Sequence, residues 1–295
     1  MSNSIIIGGK NGISVGVVAD SKSRIDGSRI TTLQLRYPRF IHAEFMTHRV
    51  FSRNASSSRA IPVKKMLRQV WSDPATPLHW GKNQPGMQAD TQLTGFKKFV
   101  VRSLWKNAGR VVCAFAWGMT KIGLHKQVAN RILEPWQFIH VVVTATDWDN
   151  FFELRAHPDA QPEIHELAIT MMEAMNDSAP KILNVGEWHL PYVRDEESIY
   201  NLSYLLKMSA ARCARVSYLT HDGKNPDIEK DLELYDRLIV SKPMHASPIE
   251  HQATPMDVED LRETKYSGNF SSWVQYRKIV ERNATQTNEE HSEVA

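Results

Sequence analysis

Residues 47 to 59, THRVFSRNASSSR, gather a His-Arg pair, Ser52, Asn54, three consecutive serines and Arg59 within thirteen residues. Guanidiniums beside a row of hydroxyl and backbone N–H donors can grip a phosphate or another polyanion. Arg does so with a planar fork of donors, and Ser as a short donor without net charge. No apolar periodicity runs through the stretch, which argues against a core helix or a buried strand. On composition alone, a solvated polar loop fits equally well. Arg131 and Arg155 fall in elements left free to converge on the stretch, although each has a carboxylate close by in sequence, Glu134 and Glu153. His245, Glu250 and His251 in HASPIEH suggest metal ligands at first sight. Two histidines six apart with no further ligand nearby are weak support, and no metal is expected.

These groups need elements to hold them. Residues 4 to 45 read as strands and turns broken at SKSRIDGSR, and ITTLQLRYPRFIHAEFM leads directly into the polar stretch. Residues 60 to 95, with four prolines and two tryptophans, read as a long irregular segment, and HWGKNQPGMQ is placed to shape a site. From 96 the pattern turns helical, with Val100, Leu104, Val111, Phe115, Met119 and Ile122 giving an apolar stripe. Cys113, in the same run, reads as a buried thiol rather than a nucleophile. A second helix through LHKQVANRILE stops before Pro135, and WQFIHVVVTATDW is a β-branched strand. A helix over 147 to 155 breaks at His157-Pro158 and restarts near Pro162, burying Ile164, Leu167, Met171 and Met175. Helices follow over 196 to 213 and through PDIEKDLELYDRLIVS, the latter with Ile228, Leu232, Tyr235 and Leu238 on one face. A single domain over 1 to 282 with a polar, disordered tail over 283 to 295 is the expected organisation.

The chain has 295 residues, is 42% apolar and 23% charged, and carries a net charge of +3, which is ordinary for a globular protein. The mild positive charge suits a small anionic substrate and is too weak to argue for a nucleic-acid surface. Two cysteines rule against a disulfide framework. The start of the chain lacks the basic region of a secretory signal, and no apolar run has membrane-spanning length, so a cytoplasmic location is expected.

Three blocks carry a family resemblance. His48-Arg49 followed by Ser57-Ser58-Arg59 resembles the signature of flavin-dependent thymidylate synthases, Arg-His-Arg and then Ser-x-Arg seven residues on. Arg131, Pro135, Asn150, FFELR and DAQPEI are similar in order and spacing to that family's substrate-binding region. ARVSY followed by a helix and HASPIEH matches a third family pattern. In most of the family this last block precedes the Arg-His-Arg motif, whereas here it follows everything else. The chain therefore looks like a circularly permuted member, an arrangement associated with bacteriophage versions and reasonable where termini lie close together.

The resemblance implies an α/β fold, a mixed sheet flanked by helices, and a homotetramer with sites built across subunits. It implies FAD, NADPH and methylenetetrahydrofolate as cofactors, with deoxyuridine monophosphate (dUMP) methylated at C5 to thymidylate. Arg155 would face the pyrimidine and stabilise its ring charge; Ser57, Arg59 and Arg131 would bind the nucleotide, with Glu44 near it. His48, Arg49, Asn150, His245, Ser247 and His251 would lie on the cofactor side. Neither cysteine stands in the Pro-Cys-Gln context of the thymidylate synthases that use a Cys nucleophile.

The chain also departs from the family pattern. Thr47 replaces the first Arg, Glu44 stands where a Gln is usual, and Thr144 and Thr146 replace an Asn and an Arg or His. A carboxylate close to a phosphate repels it unless paired, and it can accept from an exocyclic amine, which makes deoxycytidylate conceivable. A hydroxymethylase using the same one-carbon donor is the nearest rival. A non-catalytic nucleic-acid binder built on Arg49, Arg53, Arg59, Lys64, Lys65 and Arg68 is the rival from another class, and it lacks an evident reading helix.

Overall fold

A computed structural model describes residues 6–86, 88–216, 227–259 and 264–293, without the side chains of 264 and 285–293. Ser217 and Tyr218 of ARVSY lie outside the described residues. Strands β1 (Ile6–Gly8), β2 (Ser14–Ser23) and β3 (Arg29–Pro38) form an antiparallel meander, with the expected break as the turn between β2 and β3. A short helix α1 (His42–Phe45) then leads to β4 (Ser52–Ala55). The β-branched run is β5 (Phe138–Ala145), which inserts between β3 and β4. The sheet order is therefore β1-β2-β3-β5-β4, and β6 (Lys181–Leu183) adds in parallel to the end of β2. The sheet is mixed through that one parallel pairing, and β4 forms its edge.

Alternation along β5 divides the two faces. Val141 and Val143 join Val15, Leu33 and Leu35 in the main core, against the Ile164, Leu167 and Met171 stripe of α6 (Pro162–Asn176). Helix α5 (Asp149–Arg155) closes the same side with Phe151. The opposite face is more polar, with Val142 meeting Cys213 of α7 (Leu202–Arg215) while Thr32 and Thr144 face buried histidines. A buried ion cluster secures α7. Arg212 donates to Asp231 at 2.8 Å and to both Glu197 oxygens at 2.6 Å, and Arg215 donates to Asp231 at 2.8 Å. This ties α7 to α8 (Ile228–Tyr235). A small hairpin of β7 (Ala253–Pro255) and β8 (Trp273–Gln275) then runs into α9 (Tyr276–Glu293), which takes in most of the polar segment from 283. Among the described residues, no helix is long and apolar enough to cross a membrane.

Several expectations need correction. Residues 60 to 95 are not irregular throughout, since α2 (Val63–Ser72) starts just after Pro62. Its Val63, Met66 and Val70 recur at helical spacing and turn inward, and proline is readily accommodated at a helix start. The polar stretch does contain a buried strand. Ser52 and Asn54 of β4 are inside; Gln275 from the layer above gives Ser52 a polar partner, whereas Asn54 Nδ2 is buried with no hydrogen-bond partner among the described residues. The long helix is α3 (Gly95–Lys121), but its inward residues are Gly109, Cys113 and Ala116, and the stripe through Leu104, Val111, Phe115 and Ile122 points outward. The helix expected before Pro135 shortens to α4 (Lys126–Ala129), followed by a 3-10 turn over Arg131–Trp136 that contains the proline. Helix α8 turns Asp231, Leu234 and Tyr235 inward, because the Arg212 cluster claims Asp231.

Candidate active site

The edge strand β4 is where the three sequence blocks meet. At its entrance, α5 ends in Arg155, whose guanidinium fans out over residues 44 to 48. Its Nε donates to His48 Nε2 at 3.0 Å, one Nη donates to the Glu44 carboxylate, and the other lies 3.5 Å from Thr47 Oγ1. His48 Nε2 is therefore an acceptor, which puts the ring proton on Nδ1. The imidazole is stacked against Phe51 and meets Phe151 edge-on, with centroids 5.9 Å and 4.9 Å away. Burial, and then the charges of Arg155 and Arg53, hold its pKa below the ordinary imidazole value. Arg53 donates to the His48 carbonyl at 2.8 Å and reaches the Met46 carbonyl at 3.3 Å, fixing the turn that presents His48. Glu44 is thus paired, and its charge is offset within the cluster.

Past the other end of β4 lies a second basic group. Glu134 accepts from Ser58 Oγ at 3.1 Å and from Arg131 at 3.2 Å, and it forms an ion pair with Arg39 at 3.2 Å. Buried Asn130 donates to the carbonyls of Ser58 and Ile61 at 2.7 and 2.9 Å, which pins the Ser57–Arg59 loop to the 3-10 turn carrying Arg131. Ser57 is half-buried and Arg59 exposed, so both stay accessible from outside. A carboxylate held among two arginines and a serine hydroxyl marks a place whose electrostatics favour an anion.

The HASPIEH block packs on β4 from above. Gln275 of β8 donates to Ser52 Oγ at 3.2 Å and to the Glu250 carbonyl at 3.0 Å, bridging the block to the strand. Arg277 pairs with the Glu250 carboxylate. His245 and Ser247 lie on the surface of this block, whereas His251 is fully buried, 2.8 Å from Thr144 Oγ1. Thr144 continues to Thr32 at 2.7 Å, Thr32 to His189 Nε2 at 2.8 Å, and His189 Nδ1 to Ser21 at 2.9 Å. Burial lowers the pKa of both histidines from 6.5 to about 3, so the whole chain of side chains is neutral. Its far end, His251 Nε2, has no hydrogen-bond partner among the described residues.

The structure therefore brings together Glu44, Thr47, His48 and Arg155, and separately Arg131 with the Ser57–Arg59 loop. Arg49 and Asn150 stand exposed near these groups in sequence, with no contact joining them to the Arg155 cluster. Sequence reasoning missed Arg39, Asn130, His189 and Gln275. Of these, Arg39 had a legible signal, because it lies five residues before Glu44 in the strand exit that leads to the site. Gln275 sits in SGNFSSWVQYRK, a segment whose partners cannot be read without the fold.

The sequence model of the thymidylate synthase complementing protein family matches residues 28–181, from the turn before β3 to the start of β6. That span holds the Arg155 cluster, the Glu134 cluster and strands β3, β4 and β5, three of the six strands of the main sheet. No curated protein matches the chain. With more than half of its length covered, the chain belongs to the thymidylate synthase complementing protein family, the flavin-dependent thymidylate synthases.

Proposed function

We propose that this chain methylates dUMP at C5, taking the carbon from methylenetetrahydrofolate and the hydride from reduced FAD, with NADPH regenerating the flavin. Family membership supports thymidylate synthesis with a flavin in the broad sense. The observation that carries the finer reading is the Arg155 cluster. A guanidinium already oriented by an imidazole and a carboxylate is preorganised to meet negative charge that grows on a pyrimidine ring. On this reading Arg155 stabilises that charge while Glu44 and His48 hold its plane. Ser57, Arg59 and Arg131 receive the phosphate, and Arg131 exchanges its contact with Glu134 for one with the nucleotide.

On this reading the exposed Arg49, Asn150, His245 and Ser247 supply the cationic and hydrogen-bonding groups that a flavin dinucleotide requires. Bound there, the flavin supplies the hydride chemistry that no side chain can. The chain's own part is to bind, orient and keep water away. On this reading the chain is a circularly permuted member of the family, which the order of its blocks supports, and acts as a homotetramer.

Glu44 favours one second reading. A carboxylate where the family usually has Gln can accept from an exocyclic amine, so deoxycytidylate, or a hydroxymethyl product in place of methyl, is the alternative. The cofactor assignment is tested by adding FAD to purified protein, removing the excess and recording the visible spectrum before and after NADPH. A bound flavin that bleaches with NADPH is expected. A colourless protein overturns the reading.

A further inference from the structure

Among the described residues, nothing packs over the stripe on α3. Phe96, Leu104 and Ile122 are 79%, 62% and 86% exposed, and Phe99, Val111, Phe115 and Trp117 are also well exposed. Val100, Leu104, Asn107, Val111, Phe115, Gly118 and Ile122 follow one another at steps of three and four, the spacing of a seam between two helices. The helix has 27 residues, about 40 Å at ~1.5 Å per residue. Aromatic side chains bury ~150–250 Å² each, so this face presents on the order of 800 Å². That exceeds the ~300–600 Å² of the largest apolar patch on a typical monomer. It matches the ~800 Å² that each partner gives to a stable interface.

The charge pattern selects the occupant. Lys97, Lys98, Arg102, Lys106 and Arg110 all lie in the first part of the helix, residues 111 to 120 carry no charge, and α3 has no acidic residue. Parallel pairing of two copies would set these cations against themselves. Antiparallel pairing about an axis near Asn107 sets Lys97, Lys98 and Arg102 against the uncharged stretch over 112 to 117 of the partner and brings only Lys106 and Arg110 of the two copies near one another at the axis. An anionic surface would instead be met by cations along the whole length of the helix.

Beside the stripe, α2 and α3 enclose an open apolar groove of about 440 Å³ lined by Leu67, Trp71, Cys113, Ala114 and Trp117. With the two-fold axis near Asn107, position 99 of one copy lies level with position 115 of the other. Phe99, on the groove side of the helix, is then placed to enter it. We propose that α3 pairs antiparallel with α3 of a second copy of this chain, each Phe99 seated in the partner's Trp71–Trp117 groove. The proposal specifies the assembly part of the function proposed above and does not rest on its chemistry.

The test is the mass of the full chain by size exclusion with light scattering. The wild type is expected to be a dimer or a multiple of one, and L104E/V111E, altered only at exposed positions, to have half that mass with an unchanged circular dichroism spectrum. A second variant set fixes the direction. Asn107→Cys is expected to oxidise to a linked pair within the assembly. Phe96→Cys is expected not to, because eleven residues from the axis leave its two copies about 33 Å apart at ~1.5 Å per residue. A monomeric wild type overturns the proposal whether or not it binds anionic vesicles or DNA, as does a Phe96→Cys pair linking as readily as Asn107→Cys. A wild-type mass retained in L104E/V111E overturns it too. An assembly that behaves as predicted but binds no flavin contradicts the chemistry and leaves this interface standing.

Discussion

Arg155 meets His48 through Nε and Glu44 through Nη, and only a guanidinium can serve both while leaving donors over for a ligand. Arg155→Lys keeps the charge and loses the fork. Its turnover is expected to fall about 100-fold or more, as for the loss of one preorganised donor, measured as thymidylate formed per minute at saturating dUMP. Glu44→Gln restores the family's usual residue and releases the guanidinium from its ion pair. The expected outcome is a lower KM for dUMP and a weakened response to deoxycytidylate in the same assay. His48 accepts from Arg155 only while neutral. Because burial and neighbouring cations lower its pKa, it stays neutral into mildly acid solution. Any acid limb in the rate profile that His48 causes is expected below the ordinary imidazole value near 6.5, and in His48→Gln that limb is lost.

At the scale of elements, β4 carries the account. It is an edge strand whose inward residues are polar, and beside it a hydrogen-bonded chain runs from His251 through Thr144 of β5 and Thr32 of β3 to His189. Thr144→Val keeps the shape and removes the link, leaving buried neighbours unsatisfied. A loss of about 1–3 kcal/mol is expected by urea unfolding, with most of it recovered in Thr144→Ser. The same chain fixes an acid sensitivity. Unfolding returns His189 and His251 from about 3 to the ordinary 6.5, so the unfolded state takes up protons that the folded state refuses. Their stabilisation is complete above pH 6.5 and is lost as pH falls toward 3. Between pH 7 and 5.5, stability is expected to drop by about 2–3 kcal/mol for the two together.

The strands and α6 were legible in the sequence because their apolar residues repeat at two or near 3.6 against a single core. The polar strand β4 was not, since its partners Gln275 and Thr144 come from far along the chain. The α3 stripe was read correctly as a pattern, but periodicity does not say which of two apolar faces a chain covers by itself. Arg155 was legible through its family spacing, whereas its grip on Glu44 needed the fold.

For the molecule as a whole, the third block lies last in sequence yet packs on β4 beside the first, through Gln275 and Glu250. Gln275→Ala is expected to loosen that block from the strand and to raise the KM for flavin more than that for dUMP, measured by titrating each separately. The central claim is that this assembly of blocks makes thymidylate from dUMP. The most direct measurement supplies the protein with FAD, NADPH and methylenetetrahydrofolate, offers dUMP or deoxycytidylate, and weighs the product by mass spectrometry. The account predicts a methyl-sized gain on dUMP. A hydroxymethyl-sized gain, or turnover of deoxycytidylate alone, contradicts it and identifies Glu44 and Thr47 as the positions to exchange first.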